Sequence, residues 1–248
     1  MKYGTGDAAI EVNIATKSAL FQAVKNKFAA GDGFALATLN LDHLTKLPTD
    51  TVFAQAYHAH DLVVADGRPV VWLAQLAGKP LELMPGSDLV IPLSRTAAEM
   101  GMPVALVGSS DASLNGAKEV LEACIQELDI VMNYAPPYGF DPQGAEAAEI
   151  CEKLNKSGAR LCFIALGAPK QEVFAAFAHT RCPAVGFASI GAGLDFLSGN
   201  QVRAPKIMRM LALEWLWRAL QSPRRMVPRY AKCFAILPAL TTGAWRQR

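Results

Sequence analysis

Asp66 is the residue of this chain with the clearest potential for acid–base chemistry. It follows an apolar run at residues 62–65 that has the composition of a buried strand. A carboxylate at the end of such a strand can take a proton from a substrate hydroxyl if the two groups lie within hydrogen-bonding reach. The same residue could instead cap a helix that is expected to begin near Pro69. Spacing alone leaves both roles open.

Polar and glycine-rich segments follow the other apolar runs as well. Backbone amides in such segments, where helices start, suit the binding of a phosphorylated ligand. Taken singly, Thr38 and Asn40 could be turn residues, and Gln171 and Glu172 could belong to the first turn of a helix. The segments lie at residues 38–43, 66–69, 108–111, 167–172 and 191–195.

Several common catalytic motifs are missing from the sequence. Phe196 stands where the third glycine of a dinucleotide-binding fingerprint would follow Gly191 and Gly193. Neither a Walker-type phosphate loop nor a Gly-x-Ser-x-Gly turn occurs. His58 and His60 fall on a probable helix, where they would project from different faces and could not pair on a metal. The sequence therefore disfavours dehydrogenases, kinases, hydrolases and metalloenzymes, and we expect neither a cofactor nor a bound metal.

Short apolar runs alternate with helical stretches through the first 200 residues. This alternation predicts an α/β fold, Rossmann-like, with a mostly parallel sheet and helices on both faces. Ligands of such sheets bind outside the carboxyl ends of the strands, which is where the polar segments above would lie. The strands are expected at 33–40, 62–66, 104–108, 161–167 and 184–191, and the helices near 70–77, 113–127, 144–157 and 169–178.

The segment 200–248 is strongly basic. It contains ten Lys and Arg against one acid, a net charge of +9, whereas residues 1–199 carry a net charge of −7. Aromatic and aliphatic side chains are interleaved with these cations. Such a composition suits an anionic surface with an apolar interior, a membrane in preference to nucleic acid. We therefore expect an α/β catalytic domain at residues 1–199 and a basic, aromatic-rich helical appendage at residues 200–248.

The composition also bounds the class of protein. Apolar residues make up 52% of the chain and its mean hydropathy is +0.19, which predicts a well-buried core. The first 20 residues lack the pattern of a secretory signal, so synthesis in the cytoplasm is expected. The five cysteines lack the spacing of a zinc site and are expected to be reduced. The apolar stretch 233–245 is too short to span a bilayer, so the appendage should lie on a membrane rather than cross it.

Seven separated blocks of the sequence resemble the WecG/TagA/CpsF glycosyltransferases, family 26, over nearly the whole chain. The blocks are Thr38-Leu-Asn40 with Asp42-His43, Val64-Ala-Asp66-Gly67, Gly86-Ser-Asp88-Leu89, Leu166-Gly167-x-Pro169-Lys170-Gln171-Glu172, Gly191-x-Gly193-x-Asp195-Phe196, Arg203-Ala-Pro205, and Leu213-Glu-Trp215-Leu-x-Arg218 followed by Pro223 and Arg229-Tyr230.

This resemblance implies an inverting, metal-independent enzyme that acts at the cytoplasmic face of the cell membrane as a peripheral protein. Such an enzyme moves a hexose-type sugar from a UDP-sugar to a polyprenyl-diphosphate-linked sugar acceptor. The product has a β linkage and belongs to a cell-surface polysaccharide or a teichoic-acid-like polymer. UDP-glucose, UDP-N-acetylmannosamine and its uronate are donors in the family.

The resemblance also assigns roles to residues. Asp66 would deprotonate the acceptor hydroxyl, Thr38 and Asn40 would orient donor or acceptor, and Gln171 would contact the donor. The chain has no Asp-x-Asp metal-binding dipeptide, so arginines of the appendage could neutralise the diphosphate instead. Some of them could equally face lipid or solvent. The further candidates for substrate binding are Gly67, Gly108, Gly167, Lys170, Asp195, Arg203, Arg218, Arg224, Arg225 and Arg229.

One position departs from the family pattern. Family members often have an arginine directly after a glutamate before the Gly86-Ser-Asp88 block, whereas Glu82 is followed here by Leu83. A missing cation near the phosphates or a sugar carboxylate weakens the case for an acidic donor sugar. A neutral donor is therefore favoured.

A non-catalytic α/β protein that docks on an anionic membrane through its basic tail is the alternative reading. Charge asymmetry alone does not distinguish adhesion from catalysis. The aliphatic run 207–220 would stay exposed on a nucleic-acid duplex, so no nucleic-acid partner is expected. A nucleotide-sugar epimerase or dehydrogenase would carry a nicotinamide, and we expect none. Apolar residues of the tail could also close a subunit contact, which leaves a homo-oligomer open.

Overall fold

The computed structural model describes residues 1–248, except for the side chains of Lys206 and Arg209. Short strands and helices alternate along the chain. The strands are β1 (Lys2–Tyr3), β2 (Ile10–Glu11), β3 (Phe34–Leu39), β4 (Leu62–Ala65), β5 (Val104–Gly108), β6 (Ile130–Tyr134), β7 (Leu161–Ala165) and β8 (Gly186–Ser189).

Most of the helices are longer than the strands, and helices cover both faces of the sheet. Gly6–Ala8 forms an additional 3₁₀ turn. The helices are α1 (Lys17–Ala30), α2 (Leu41–Lys46), α3 (Thr51–His58), α4 (Arg68–Leu76), α5 (Gly86–Glu99), α6 (Asp111–Cys124), α7 (Ala145–Ser157), α8 (Lys170–Arg181), α9 (Gly193–Leu197), α10 (Lys206–Met210), α11 (Glu214–Gln221) and α12 (Pro223–Trp245).

Six strands form one sheet in the order β4-β3-β8-β7-β5-β6, and every neighbouring pair is parallel. β1 and β2 pair separately as a small antiparallel sheet. The expected Rossmann-like α/β fold with helices on both faces is therefore confirmed. Because all six strands run the same way, their carboxyl ends meet at one edge, where ligands of such sheets bind.

The sheet is buried on both faces, as its nearly continuous apolar strands require. In β3, Leu36 packs into a core with residues of α1, α5 and α6, whereas the next residue, Ala37, faces α3 and α4 on the opposite side. In β7, Phe163 joins the first of these cores, and Cys162 joins a third core with residues of α7 and α8. Side chains that alternate between two covered faces place the sheet in the middle of three layers.

The five strands and four helices expected from the sequence are all present, with boundaries shifted by a few residues. β6, the β1–β2 pair and helices α1, α2, α5 and α9 were not expected, whereas α3 is the probable helix on which His58 was placed, and it ends at that residue. β6 is an edge strand that is buried only at Ile130, so its sequence lacks a sustained apolar run. α5 contains Pro92, which is a helix-breaking signal in a sequence.

The C-terminal helices fold back on the α/β body. α12 packs against β1, α2 and α4, and it buries Met226, Cys233 and Ala244. α11 lies against α12, where the Trp215 ring makes edge contacts with Tyr230 and Phe234. None of the helices, over the residues described, is both long and apolar enough to cross a membrane. The expected basic helical appendage is thus present, and the domain boundary at residue 199 stays a prediction.

Candidate active site

A cleft of about 1630 Å³ opens at the carboxyl end of the sheet. The ends of β3, β4 and β8 form its floor, and the start of α4 and α5 form one side. Residues of the C-terminal segment, from Gln201 to Thr241, form the opposite wall. The site is therefore built jointly by the α/β body and the appendage.

Asp66 lies at the floor of this cleft, directly after β4. Its backbone N–H donates to the carbonyl of Leu39 at 2.8 Å, which fixes the residue beside the end of β3. The N-cap of α4 is the next residue, Gly67, and no side chain caps that helix. Gly67 adopts a φ of 94°, a left-handed conformation that favours glycine. The helix-cap role considered for Asp66 is therefore wrong, and its carboxylate is available to the cleft.

The pKa of Asp66 is raised from its ordinary 3.8 to about 7. Burial of the carboxylate is the main cause, because a low-dielectric environment disfavours the charged form. The carboxylates of Glu214 and Asp88 raise the pKa further, whereas Arg218 and a hydrogen bond from Asn40 lower it. A carboxylate with a pKa near neutrality can both accept a proton and release it, as a general base requires.

Thr38 and Asn40 bring polar groups to the same floor from β3. β3 and β4 are neighbours in register, with Leu39 opposite Ala65, so Asn40 and Asp66 leave the sheet side by side. The Thr38 hydroxyl donates to the carbonyl of Ser189 in β8 at 3.4 Å. Asn40 is the N-cap of α2, and its side-chain oxygen accepts from the backbone N–H of His43 at 3.1 Å. Asn40 thus combines the structural role of a cap with a position on the cleft floor.

Gln171 ties the ends of β7 and β8 together beneath the cleft. It is the second residue of α8 and is buried. Its side-chain oxygen accepts from the backbone N–H of Gly191 at 3.0 Å, and its amide nitrogen donates to Glu172 at 2.8 Å. Gly167 lies at the entrance to the same turn and lines the cleft. One N–H of the Gln171 amide remains for a ligand.

Arginines of the appendage line the opposite wall of the cleft. Arg203 forms an ion pair with Asp88 in α5, and Arg229 forms one with Asp42 in α2 at 2.8 Å. Arg218 pairs with Glu214, one turn earlier in its own helix, at 2.6 Å. Arg225 also lines the cleft and is exposed. The first two arginines fasten the appendage to the body, which leaves Arg218 and Arg225 as the cations best placed for an anionic ligand.

The sequence matches the family model described as Glycosyl transferase WecG/TagA/CpsF family over residues 8–248. The chain belongs to this family. It is a glycosyltransferase by family, and the resemblance read from the separated sequence blocks is confirmed. The cleft of this transferase contains ten of the predicted site residues, namely Asp66, Thr38, Asn40, Gly67, Gly167, Gln171, Arg203, Arg218, Arg225 and Arg229.

Four predicted site residues of the transferase lie outside the lining of the cleft. The Lys170 ammonium donates to the carbonyl of Phe140 at 2.8 Å, which turns it away from the cleft. Asp195 accepts hydrogen bonds from the hydroxyl of Ser109 and, at 3.2 Å, from Gln201. The remaining two are Gly108 and Arg224.

These last two residues have structural surroundings of their own. Gly108 is buried with a φ of 118°, and a Cβ placed there would approach the backbone of Ala165 to 2.5 Å. Close packing of β5 on β7 therefore explains this glycine without a ligand. Arg224 is exposed on α12 and is not among the residues that line the cleft.

Three residues that support the floor of the cleft were not among the candidate site residues predicted from the sequence. His43, Tyr57 and Glu172 form a buried group behind Asn40 and Gln171. Glu172 is enclosed completely, and burial raises its pKa to about 7. The spacing Asn40-x-x-His43 is that of an N-cap and the third residue of a helix, which is the signal that could have located His43. Tyr57 belongs to α3, of which the sequence indicated only a probable helix around His58 and His60.

Metal-ligating side chains are not gathered anywhere in the described part of the transferase. Among the side chains described, no group of three or more His, Cys, Asp or Glu could hold an ion. His58 is hydrogen-bonded to the carbonyl of Asp7, and His60 to that of Ala56, so the two histidines have separate partners. The described cysteines are free thiols.

Proposed function

We propose that this protein is an inverting, metal-independent glycosyltransferase that uses a UDP-sugar. It would move a hexose-type sugar to a polyprenyl-diphosphate-linked sugar acceptor and form a β linkage. The observation that carries the proposal is the position of Asp66, whose pKa is raised to about 7, on the floor of a cleft that faces arginines of the appendage. Family membership gives the class of reaction, and this geometry supports the proposal that Asp66 is the base and that the arginines bind an anion.

In the proposed reaction, the ionised Asp66 accepts the proton of the acceptor hydroxyl. The hydroxyl oxygen then forms a bond to the anomeric carbon of the donor, on the face opposite UDP. The bond from that carbon to the diphosphate oxygen breaks, and UDP leaves with the electron pair. Direct displacement inverts an α-linked donor to a β-linked product, and the proton stays on Asp66 until product release.

The negative charge on the departing diphosphate needs cationic partners. Arg218 is the first candidate because its charge already acts on Asp66 and its ion pair is confined to its own helix. Arg225 is the second because, among the described side chains, it has no ion-pair partner in the cleft. Arg203 and Arg229 are already paired with carboxylates of the body. We therefore assign Arg218 and Arg225 to the diphosphate, and Arg203 and Arg229 to holding the wall in place.

The donor sugar is proposed to be neutral. Leu83, which occupies the position where family members often carry an arginine, lines the cleft. Its neighbour Glu82 accepts from the backbone N–H of Lys17 at 2.8 Å and is not directed at the site. An apolar side chain at this wall gives a sugar carboxylate no charged partner, which favours UDP-glucose or UDP-N-acetylmannosamine over the uronate.

We also propose that the appendage holds the enzyme on the cytoplasmic face of the cell membrane, as a peripheral protein. Large apolar side chains are exposed along it, among them Ile207, Leu211, Leu220 and Trp245. Exposed cations such as Lys232 lie in the same segment. Basic residues near anionic lipid each contribute on the order of 1 kcal/mol, and aromatic rings favour the interface. A lipid-linked acceptor would then reach the cleft from the membrane surface, within the assembly of a cell-surface polymer.

The test is the release of UDP in the presence of EDTA. The purified protein is supplied with UDP-glucose, UDP-N-acetylmannosamine or its uronate, together with synthetic polyprenyl-diphosphate sugars. Turnover that depends on acceptor, survives the chelator and falls by about 10³-fold or more in Asp66→Asn supports the proposal. Equal activity of the variant, or no turnover with any pair, contradicts it and favours a non-catalytic protein that docks on membranes.

A further inference from the structure

A buried polar group lies directly behind the proposed base. It consists of His43 in α2, Tyr57 in α3 and Glu172 in α8, each less than 5% exposed. The Nδ1 atom of His43 lies 2.6 Å from the Tyr57 hydroxyl, and its Nε2 atom lies 3.2 Å from the Asn40 amide nitrogen. Polar groups at this depth are costly unless they satisfy one another, so their arrangement is informative.

The orientation of the Asn40 amide follows from its partners. The backbone N–H of His43 can only donate, so the atom of Asn40 that faces it at 3.1 Å must be the oxygen. The amide nitrogen of Asn40 is therefore directed towards His43 Nε2. Asn40 and Asp66 leave neighbouring strands side by side, and hydrogen bonding from the Asn40 side chain lowers the pKa of the Asp66 carboxyl. Its two N–H bonds match these two acceptors.

The tautomer of His43 follows in turn. Because the Asn40 nitrogen donates, His43 Nε2 must accept and cannot carry a proton. The ring proton then lies on Nδ1 and is donated to the Tyr57 oxygen at 2.6 Å. Glu172 does not compete for Nε2, since its oxygen lies 4.0 Å away and already accepts from Gln171.

The surroundings of His43 keep its ring neutral. Burial is the main cause that lowers its pKa to about 3, and the cations Lys46 and Arg229 lower it further, while Asp42 opposes them. A neutral ring can serve as a hydrogen-bond acceptor for Asn40 at any pH at which the protein is folded and active. Phe53 packs against the ring edge, with centroids 5.6 Å apart, and restricts its rotation.

We propose that His43 is a positioning residue for the proton-transfer step. Its unprotonated Nε2 holds one N–H of the Asn40 amide, so that the other N–H is directed at the Asp66 carboxylate. Tyr57 fixes the required tautomer by accepting the proton of Nδ1. The inference rests on the proposed function only in taking Asp66 as the base.

The direct test is to measure the pKa of Asp66 in the whole protein. The titration is recorded by ¹³C NMR of the labelled side-chain carboxyl. His43→Phe keeps an apolar ring but removes the acceptor, so the Asn40 amide is freed and the Asp66 pKa should rise by roughly one pH unit. Tyr57→Phe removes the partner of Nδ1 and should shift the pKa in the same direction. If His43→Phe does not fold, the pKa of Asp66 in Tyr57→Phe tests the proposal on its own.

Two further variants separate hydrogen bonding from packing. His43→Gln offers an amide oxygen near the position of Nε2 and should leave the Asp66 pKa close to that of the wild type. Phe53→Leu disturbs the packing around the ring but keeps every hydrogen bond, so it should lower the melting temperature without moving the pKa. An unchanged pKa in folded His43→Phe and Tyr57→Phe, or equal rises in His43→Gln and His43→Phe, would overturn the proposal.

The titration distinguishes this proposal from the proposed function, because it requires no substrate. If transfer activity is found, the acidic limb of the pH profile of kcat/KM should move to higher pH in His43→Phe, with kcat falling more than KM changes. If no donor and acceptor pair gives turnover, the proposed function fails. The dependence of the Asp66 pKa on His43 would still be confirmed or refuted by the spectra.

Discussion

Asp66 and Glu172 are two carboxyl groups with pKa values of about 7 but different surroundings. Asp66 borders the cleft and has Asn40 as a hydrogen-bond donor and Arg218 as a nearby cation. Glu172 is fully enclosed, receives a hydrogen bond from Gln171 on one oxygen, and has no partner on the other oxygen within the described structure. The raised pKa thus marks Asp66 as a candidate base, whereas for Glu172 it reflects the free-energy cost of burying a carboxylate.

Asp66→Asn should stabilise the fold at alkaline pH while it removes activity. An acid whose native pKa exceeds its unfolded value stabilises the native state at low pH, and this contribution is lost as the pH rises towards the native pKa. For Asp66 the window runs from 3.8 to about 7. Chemical denaturation at pH 5 and pH 8 should show that the variant gains free energy of unfolding over the wild type, and that this gain is larger at pH 8 by about 2–3 kcal/mol. A constant difference would mean that the carboxylate is not penalised by burial.

Glu172→Gln should also raise the free energy of unfolding at alkaline pH, although Glu172 does not border the cleft. Its window runs from 4.5 to about 7, so wild-type stability falls across that range because the buried group must ionise. The amide removes this cost and should raise the free energy of unfolding at pH 8 by about 1–3 kcal/mol. The matched control is Glu152→Gln, an exposed change on α7 that should leave stability unaltered. Loss of stability in Glu172→Gln at pH 8 would contradict this account.

The residues at the strand ends could be located from the sequence, whereas their supports could not. Asp66, Thr38 and Asn40 follow apolar runs directly, and parallel strands bring such positions to one edge. His43 and Tyr57 meet only because α3 packs against α2 and α8, and no local pattern encodes that contact. The helix-cap reading of Asp66 failed for a backbone reason, since the left-handed Gly67 takes the cap position instead.

At the scale of elements, α12 is attached to the body by a charged contact in its second turn. Arg229 of α12 pairs with Asp42 of α2, and Lys46 pairs with the other oxygen of the same carboxylate at 2.7 Å. Asp42 is buried, and burial alone would raise the pKa of its carboxyl. Lys46 and Arg229 together outweigh this effect and lower the pKa, so the carboxylate stays ionised. The contact orients the helix whose residues form the outer wall of the cleft.

Arg229→Gln should loosen α12 without unfolding the sheet. The change leaves Asp42 with one cation instead of two. The free energy that holds α12 on the body is expected to fall by about 1–3 kcal/mol. Hydrogen exchange should accelerate in α12 and α11, while exchange in β3, β7 and β8 stays slow. The control Arg224→Gln alters an exposed arginine of the same helix and should not change the exchange pattern. Uniform acceleration across the sheet in Arg229→Gln would show that α12 and the body unfold together.

Elements with a sustained apolar pattern could be predicted, and those with mixed signals could not. β5 was predicted with its observed bounds because all five of its residues are buried. α12 contains Pro228 and Pro238, which the sequence presents as breaks although the helix continues through both. Its contacts with α2, α4 and β1 supply the stabilisation that local propensity lacks.

At the scale of the whole molecule, the charge is divided between an acidic body and a cationic appendage. The net charges of −7 at residues 1–199 and +9 at residues 200–248 give the protein a strong dipole. Such a distribution orients a protein at an anionic surface before any specific contact is made. The side that carries the appendage, where the cleft has its outer wall, would then meet the membrane first.

Arg224→Glu combined with Lys232→Glu should weaken binding to anionic vesicles. Both residues are exposed on α12, and each basic side chain near anionic lipid contributes on the order of 1 kcal/mol. Co-sedimentation with vesicles that contain phosphatidylserine should fall by roughly tenfold or more, and more steeply at low salt. Lys156→Glu, an exposed change on α7, is the control and should bind like the wild type. Equal binding of all three proteins would exclude α12 as the contact surface.

The strand order has a consequence for how the protein is made. β3 lies between β4 and β8, so it stays half-paired on the ribosome until the much later β8 has been translated. The segment 201–241, which forms the outer wall of the cleft, emerges later still. A nascent chain would therefore expose an open sheet edge during that interval. The proposed catalytic wall and the proposed membrane-facing surface would appear together, after the sheet that holds Asp66 is complete.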